Sequence, residues 1–185
     1  MARVSISVTA VVGLVGICLG GLISYYQMTS QKPDYYTVGE TAAISVPEVG
    51  LTYLSRIDTG ARVTSLHALN VEVEGVISDA GVEDESEAVD KKAYIGRTVR
   101  FVTLNENNQQ ANHTAEIIDV SRIRNAQGVE ERYVIELDLE WQGLNKRVAV
   151  NLRDRSAMTY KLLIGRNWLA GDLLVDVAQS EGVIQ

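Results

Sequence analysis

Residues 56–68 read RIDTGARVTSLHA. A run with the apolar spacing of a strand ends on Ile57, a carboxylate follows at Asp58, and Thr59-Gly60-Ala61 turns the chain before it becomes apolar again. Two readings compete. Asp58 is a strand-end residue that caps its own backbone, as short polar side chains do at turns, or it is a carboxylate presented for chemistry. Asp-Thr-Gly alone recurs by chance and settles nothing. A second segment does: Leu162-Leu163-Ile164-Gly165-Arg166-Asn167, about a hundred residues later.

Composition narrows the frame around these two segments. The chain has 185 residues, enough for one folded domain with additions, and 46% of them are hydrophobic. A net charge of -7 with no basic stripe excludes a nucleic-acid partner. There is one cysteine, Cys18, so neither an intrachain disulfide nor a cysteine-pair zinc site can form. The two histidines, His67 and His113, lie outside any HExxH arrangement. No cofactor is therefore expected, and no metal.

Residues 4–23, VSISVTAVVGLVGICLGGLI, carry no charge. A run of ~20 uncharged apolar residues matches the thickness of a bilayer core. Gly16 and Gly20 form a small-xxx-small pair, and Tyr25 and Tyr26 stand where an aromatic belt belongs. The run ends in Ser24-Tyr25-Tyr26-Gln27, a poor cleavage site, so an uncleaved anchor is expected over residues 1–26. Arg3 ahead of the span puts the N-terminus in the cytoplasm, which in a bacterium makes this a single-pass inner-membrane protein with a periplasmic body. Residues 27–40 read as a polar tether and 41–185 as the folded domain.

Within that domain, short strand-like runs recur. Thr41–Pro47 and Thr52–Asp58 form a hairpin turning at Glu48-Val49-Gly50. Ser65–Glu74, Thr98–Leu104 and His113–Val120 follow as strands. Tyr133–Trp141 and Lys146–Leu152 pair around Gln142–Asn145. Asn125-Ala126-Gln127-Gly128 is a hairpin tip. Lys161–Ile164 is a last apolar run, Asn167–Ala170 a short helix and Asp172–Val177 a final strand. Residues 78–92, rich in Asp and Glu, read as a solvated insert. Many short strands at regular spacing mark an antiparallel sandwich or closed barrel.

With both segments in view the chain resembles the aspartic proteases. Ile57-Asp58-Thr59-Gly60-Ala61 is similar to their catalytic loop, and LLIGRN to the hydrophobic-Gly-Arg-Asn segment of retroviral proteases. Together with LRDRSAMTYKLLIGRNWLAGDLLVD they resemble the bacterial retropepsin-like family formerly labelled "ATP-dependent zinc protease" and linked to ribosomal-protein glutamate ligases. The resemblance covers residues 41–178. It implies an all-β closed barrel of the acid-protease type with one short C-terminal helix, behind the N-terminal transmembrane helix. It also implies an aspartic endopeptidase.

Such enzymes need two carboxylates sharing one proton: the ionised one takes a proton from water and the other protonates the scissile carbonyl. This chain has a single Asp-Thr-Gly, so the resemblance implies a homodimer with Asp58 from each copy. Thr59 would hold the paired loops in register and Gly60 would let the backbone approach substrate. Ala61 would contact substrate, and Ile164 and Gly165 would pack beneath the loop. The tip at Asn125 and Gly128 falls where a flap belongs, and Arg122, Arg124 and Arg132 make it basic, which suits an acidic peptide. Retroviral enzymes pair the arginine of Gly-Arg-Asn with an acid just after the catalytic motif. Arg62-Val63-Thr64-Ser65 supplies none, which leaves Asp154 as the expected partner of Arg166. His67 is expected to be a buried structural residue, and Trp141 and Trp168 core or interface anchors. Two other functions fit the same residues: a non-catalytic peptide-binding or regulatory module, and the zinc-dependent peptidase of the older label.

Overall fold

The computed structural model describes residues 35–75, 93–125 and 128–181, together with the side chains of these residues outside 123–129. The expected membrane span, the N-terminal part of the tether and the acidic insert lie outside the described residues. Among the described residues no helix is long and apolar enough to cross a membrane.

The described residues of the body form twelve strands and one short helix. β1 (Tyr36–Val38), β2 (Thr41–Val46), β3 (Leu51–Ile57), β4 (Thr64–His67) and β5 (Leu69–Val73) come first. β6 (Thr98–Leu104), β7 (Gln110–Glu116), β8 (Asp119–Asn125), β9 (Gly128–Trp141) and β10 (Leu144–Arg153) follow. β11 (Leu162–Ile164), α1 (Arg166–Leu169) and β12 (Leu173–Val175) close the chain.

β10, β4, β11, β3, β2 and β9 hydrogen-bond in that order, and β9 returns to β10, so the sheet closes into a barrel. β9 is longer than the barrel needs. Its first half runs out to pair with β8 from Asn125↔Gly128 down to Asp119↔Val134, forming a hairpin arm. β5, β6 and β7 make a separate three-stranded sheet, and β1 pairs in parallel with β12.

Alternation decides which side chains enter the barrel. In β2 and β3 every second residue is buried, placing Ile44, Val46, Tyr53 and Ile57 inside. Ile135, Leu137 and Leu139 enter from β9, Leu66 from β4, Leu162 and Ile164 from β11. α1 lays Trp168 against this core, its indole edge-on to Trp141 at 6.4 Å. Both tryptophans are thus core residues, as expected.

His113–Val120, read as one strand, is the end of β7 and the start of β8, broken at Ile117-Ile118, and two further boundaries differ from the sequence reading. Ser65–Glu74, read as one strand, is two. The chain leaves the barrel at Ala68, whose N–H donates to the Arg153 carbonyl at 2.9 Å, and resumes in the outer sheet as β5, where Asn70 takes a left-handed φ of 50°. Part of the expected tether is also folded: Tyr36–Val38 is a strand, and the compact unit begins at Tyr35.

One carboxylate replaces missing strand pairing beside the site. Glu106 accepts the Leu54 N–H at 3.0 Å and the Lys161 N–H at 2.7 Å, bridging β3 to the entry of β11. Glu106→Ala leaves both donors without a partner and is expected to cost about 2 kcal/mol. A urea titration that returns the wild-type midpoint contradicts this bridging role.

Candidate active site

The Asp58 loop is built by three strands. β11 runs parallel to β3, with Leu163↔Arg56 and Ile164↔Ile57, and antiparallel to β4, with Leu162↔Leu66 and Leu163↔Ser65. A strand inserted between two others fixes where the loop joining them must emerge. The Asp58 N–H donates to the Ile164 carbonyl at 2.9 Å, the Arg166 N–H to the Ala61 carbonyl at 2.9 Å and the Asn167 N–H to the Arg62 carbonyl at 3.3 Å. The loop is therefore stitched along its length to Leu162–Asn167.

Two residues of that segment explain why it reads as it does. A Cβ on Gly165 would lie 2.6 Å from the Val63 carbonyl carbon and 2.8 Å from the Thr64 nitrogen, so no other residue fits. The Asn167 carboxamide oxygen accepts from both the N–H and the hydroxyl of Thr64, each at 2.9 Å, while its NH₂ donates to the Ala149 carbonyl at 2.7 Å. Thr64 Oγ1 in turn accepts the Gly165 N–H at 3.1 Å.

At the tip, Asp58 is half-buried, and Thr59 and Gly60 are exposed. Asp58 Oδ1 accepts the Gly60 N–H at 2.8 Å and the Ala61 N–H at 3.2 Å. That turn orients the carboxylate while Oδ2 takes no hydrogen bond from any described residue. A carboxylate with one oxygen anchored by backbone donors and the other uncommitted is suited to proton transfer.

Beside the loop lies a cleft of about 440 Å³. Ala61 and Arg62 wall it on the loop side, Arg122 and Arg132 on the hairpin arm, Arg153 and Arg155 at the end of β10. Five arginines and one acid, Asp119, line it, on a protein of net charge -7. Arg122 and Arg132, expected at the substrate, are thus brought to the loop. The side chains of Arg124 and Asn125 fall outside the described residues, though the backbone of both, and of Gly128, lies in the arm.

Arg153, Arg155, Ser65 and Asn151 also line the cleft and were not singled out from the sequence. The signal available was the every-second-residue spacing of Asn151, Arg153 and Arg155, which puts all three on one side of an extended chain. Ser65 faces Asn151 across the β4–β10 ladder.

The expected Asp154–Arg166 pairing does not form. Asp154 Oδ1 accepts the Ser156 N–H at 2.8 Å and lies 3.7 Å from His67 Nδ1. Arg166 is exposed at the start of α1 and forms no ion pair among the described residues. The loop is held by the Arg166 backbone, not its guanidinium.

His67 is fully buried, as expected, and its Nδ1 accepts the Arg155 N–H at 2.9 Å. An accepting Nδ1 places the proton on Nε2, so the Asp154 contact joins a carboxylate to a neutral ring. Burial is the main cause that holds the His67 pKa below its ordinary 6.5; Asp154 opposes it, and Lys161 and Arg155 reinforce it. A folded value below the unfolded one means that protonation favours the unfolded chain. The stabilisation is complete above pH 6.5 and is lost as pH falls below it. His67→Gln is accordingly expected to flatten the loss of stability between neutral pH and pH 5, read from urea midpoints. An unchanged slope overturns this assignment.

Among the described residues no three His, Cys, Asp or Glu side chains gather in the manner of a metal site. A closed barrel with one Asp-Thr-Gly loop, gripped by a Gly-Arg-Asn segment, defines a single-loop domain of the acid-protease type. A family profile described as "Retropepsin-like aspartic endopeptidase RimB" matches residues 88–184, just over half of the chain, and the chain belongs to that RimB-like family. The matched residues include β11 and α1, the elements that hold the Asp58 loop.

Among curated proteins the chain is similar to three described as "Probable alpha-L-glutamate ligase". It is 28% identical over 141 residues to that of Parasynechococcus marenigrum, covering 75% of this chain and 27% of the relative. The Shewanella halifaxensis protein is 26% identical over 147 residues, covering 78% and 29%. The Desulfotalea psychrophila protein is 30% identical over 146 residues, covering 76% and 28%. The chain thus spans less than a third of the length of these relatives. A crystal structure of a Legionella pneumophila protein of unknown function superposes with a TM-score of 0.58 at 21% identity, covering 80% of this chain and 97% of that one, and shares its fold.

Proposed function

We propose that this protein is an aspartic endopeptidase whose working unit is a homodimer, with Asp58 of each copy forming the catalytic pair. The observation that carries the reading is the Asp58 carboxylate, anchored through Oδ1 to the Gly60 and Ala61 N–H groups on a loop whose next residues, Ala61 and Arg62, line a substrate-sized cleft. Water is the nucleophile. One carboxylate of the pair removes its proton while the other protonates the carbonyl oxygen, so the two act as a unit with one shared proton.

A single loop per chain leaves each site half complete, which supports pairing with a second copy. The β1–β12 sheet supports it further, since Tyr36 and Leu174 there are exposed, Leu174 by 54%. Thr59 beside each aspartate would bond across the two-fold axis. The arm formed by β8 and β9 would fold over bound peptide and exclude water. The basic cleft favours an acidic peptide on electrostatic grounds. The uncharged run at 4–23 would anchor the pair to the bacterial inner membrane with the body in the periplasm, and confinement there would raise the chance of pairing.

The reading is tested by incubating the full chain with a glutamate-rich peptide and following cleavage by mass spectrometry while sedimentation reports the assembly. Cleavage is expected in the presence of a chelator, with specific activity rising with protein concentration as dimers form. Activity lost on chelation and restored by zinc would replace the reading with the metallopeptidase. Peptide bound but left intact would replace it with the binding module.

A further inference from the structure

Arg155 is an anomaly in this fold. Only 7% of its surface is exposed, yet among the described residues no carboxylate pairs with it. Burying a cation without a counter-ion costs several kcal/mol unless something compensates. The neighbouring arginine Arg132 solves the problem with Glu130, at 2.6 Å, and Arg153 shares the same carboxylate at 3.5 Å. Arg155 has no carboxylate in contact among the described residues: burial, Arg153 and Arg132 oppose its charge, while Asp58 and Glu106 favour it only from beyond ion-pair distance. Its Nε donates to the Tyr160 carbonyl at 3.0 Å, which satisfies one of its five N–H donors.

The residue is nevertheless held with care. Its own N–H is received by the buried His67 Nδ1, and its carbonyl accepts the Met158 N–H at 2.9 Å and the Lys161 ammonium at 3.2 Å. Main chain and guanidinium base are fixed, and the remaining donors belong to a wall of the cleft beside the Asp58 loop. Around them other polar atoms wait unpaired. Ser65 Oγ, Asn151 Oδ1 and Arg132 Nε are each buried without a hydrogen-bond partner, on residues that line the same cleft. Ser65 and Asn151 are direct neighbours across β4 and β10. Asn151 Oδ1 can only accept, Arg132 Nε can only donate, and the serine hydroxyl can do both.

We infer that Arg155 is the receptor for one carboxylate of the bound peptide, with Arg132 Nε and Ser65 completing the anion's shell and Asn151 Oδ1 taking an N–H of the peptide backbone. A planar guanidinium with its base fixed presents two parallel donors, the arrangement that grips a carboxylate in bidentate fashion. His67 acts through Arg155 as a positioning residue, and its neutral accepting Nδ1 locks the backbone that carries the guanidinium. This rests on the proposal that the cleft holds substrate, and it adds which side chain selects the acid.

The test separates the two. Full-length protein carrying Asp58→Asn, so that peptide is bound and not consumed, is titrated calorimetrically with a hexaglutamate peptide and with its hexaglutamine counterpart. Glutamate is expected to bind at least tenfold more tightly, and Arg155→Gln in the same background to remove most of that preference. A preference that survives Arg155→Gln overturns the inference, as does equal or absent binding of both peptides. Since Arg155→Gln could compromise folding, the Arg155 Nε–H resonance is followed in protein with Arg155 intact. It is expected to shift with the glutamate peptide and not with the glutamine peptide, and no shift with either overturns the inference. Cleavage of hexaglutamate by the chain with Asp58 intact and Arg155→Gln, at an unchanged rate, would sink the receptor and leave the peptidase. Arg155-dependent binding without cleavage by the unsubstituted chain would do the reverse.

Discussion

Asp58→Asn is expected to cripple peptide cleavage, with a loss on the order of 10²–10⁴-fold in kcat, while leaving the fold unchanged. The expectation follows from the separation of two jobs within one side chain. Asp58 Oδ1 closes the turn by accepting from Gly60 and Ala61, and an asparagine carboxamide oxygen can accept the same bonds. In the proposed reaction Oδ2 is the group that exchanges the proton, and there the substitution would be fatal, because an amide neither gains nor loses a proton in this range. If both members of the pair come from the same position, as proposed, one substitution removes both. Mixing variant with unsubstituted chain offers a finer check: heterodimers carry one carboxylate and would also be inactive, so activity should fall faster than the fraction of unsubstituted chain. A linear decline would mean that each chain works alone. Cleavage surviving in the pure variant would remove Asp58 from the reaction.

Much of this site was legible because its chemistry is local. The Asp58 loop and the Leu162–Asn167 segment each carry their constraint in sequence, a turn glycine after the acid in one and a close-contact glycine followed by a bridging asparagine in the other. The β2–β3 hairpin was legible for the same reason, Gly50 taking the positive φ of 68° its turn requires. What stayed hidden depends on closure of the barrel. Ser65–Glu74 holds no glycine or proline to divide it, and only the Ala68–Arg153 hydrogen bond shows where the chain changes sheets. β1 has three residues, and its partner β12 lies at the opposite end of the domain, so no local pattern announces it. Arg155 reads as one more charge in a polar turn until β4 brings His67 against its backbone. The Arg166 assignment failed differently. The retroviral pattern places an ion pair there, but the grip on the loop passes through backbone N–H groups and Asn167, which leaves the Arg166 side chain free to face solvent.

That grip can be weighed by removing Asn167. Asn167→Ala deletes two acceptor contacts with Thr64 and one donor contact with Ala149. Thr64 is fully buried, so its N–H is left without water or partner, and a buried orphan of that kind costs about 1–3 kcal/mol by itself. The Ala149 carbonyl and the Thr64 hydroxyl add to it, for a total near 3 kcal/mol. In a domain of this size each kcal/mol lowers the melting temperature by roughly 2–4 °C, so a fall of about 6–12 °C is expected. Gly165→Ala attacks the same junction from the other side, forcing a methyl to within 2.6 Å of the Val63 carbonyl carbon, where rigid backbone cannot yield as a side chain would. Overpacking of that kind costs about 1–3 kcal/mol or more. Because both changes act on the contacts between Leu162–Asn167 and the Asp58 loop, their effects should not add: once the loop has lifted from β11, the second substitution has less to break. Calorimetry on the two single variants and the double variant decides it. A double variant whose loss equals the sum of the singles would mean that Gly165 and Asn167 hold separate parts of the barrel, and that the loop carrying Asp58 is positioned by something else.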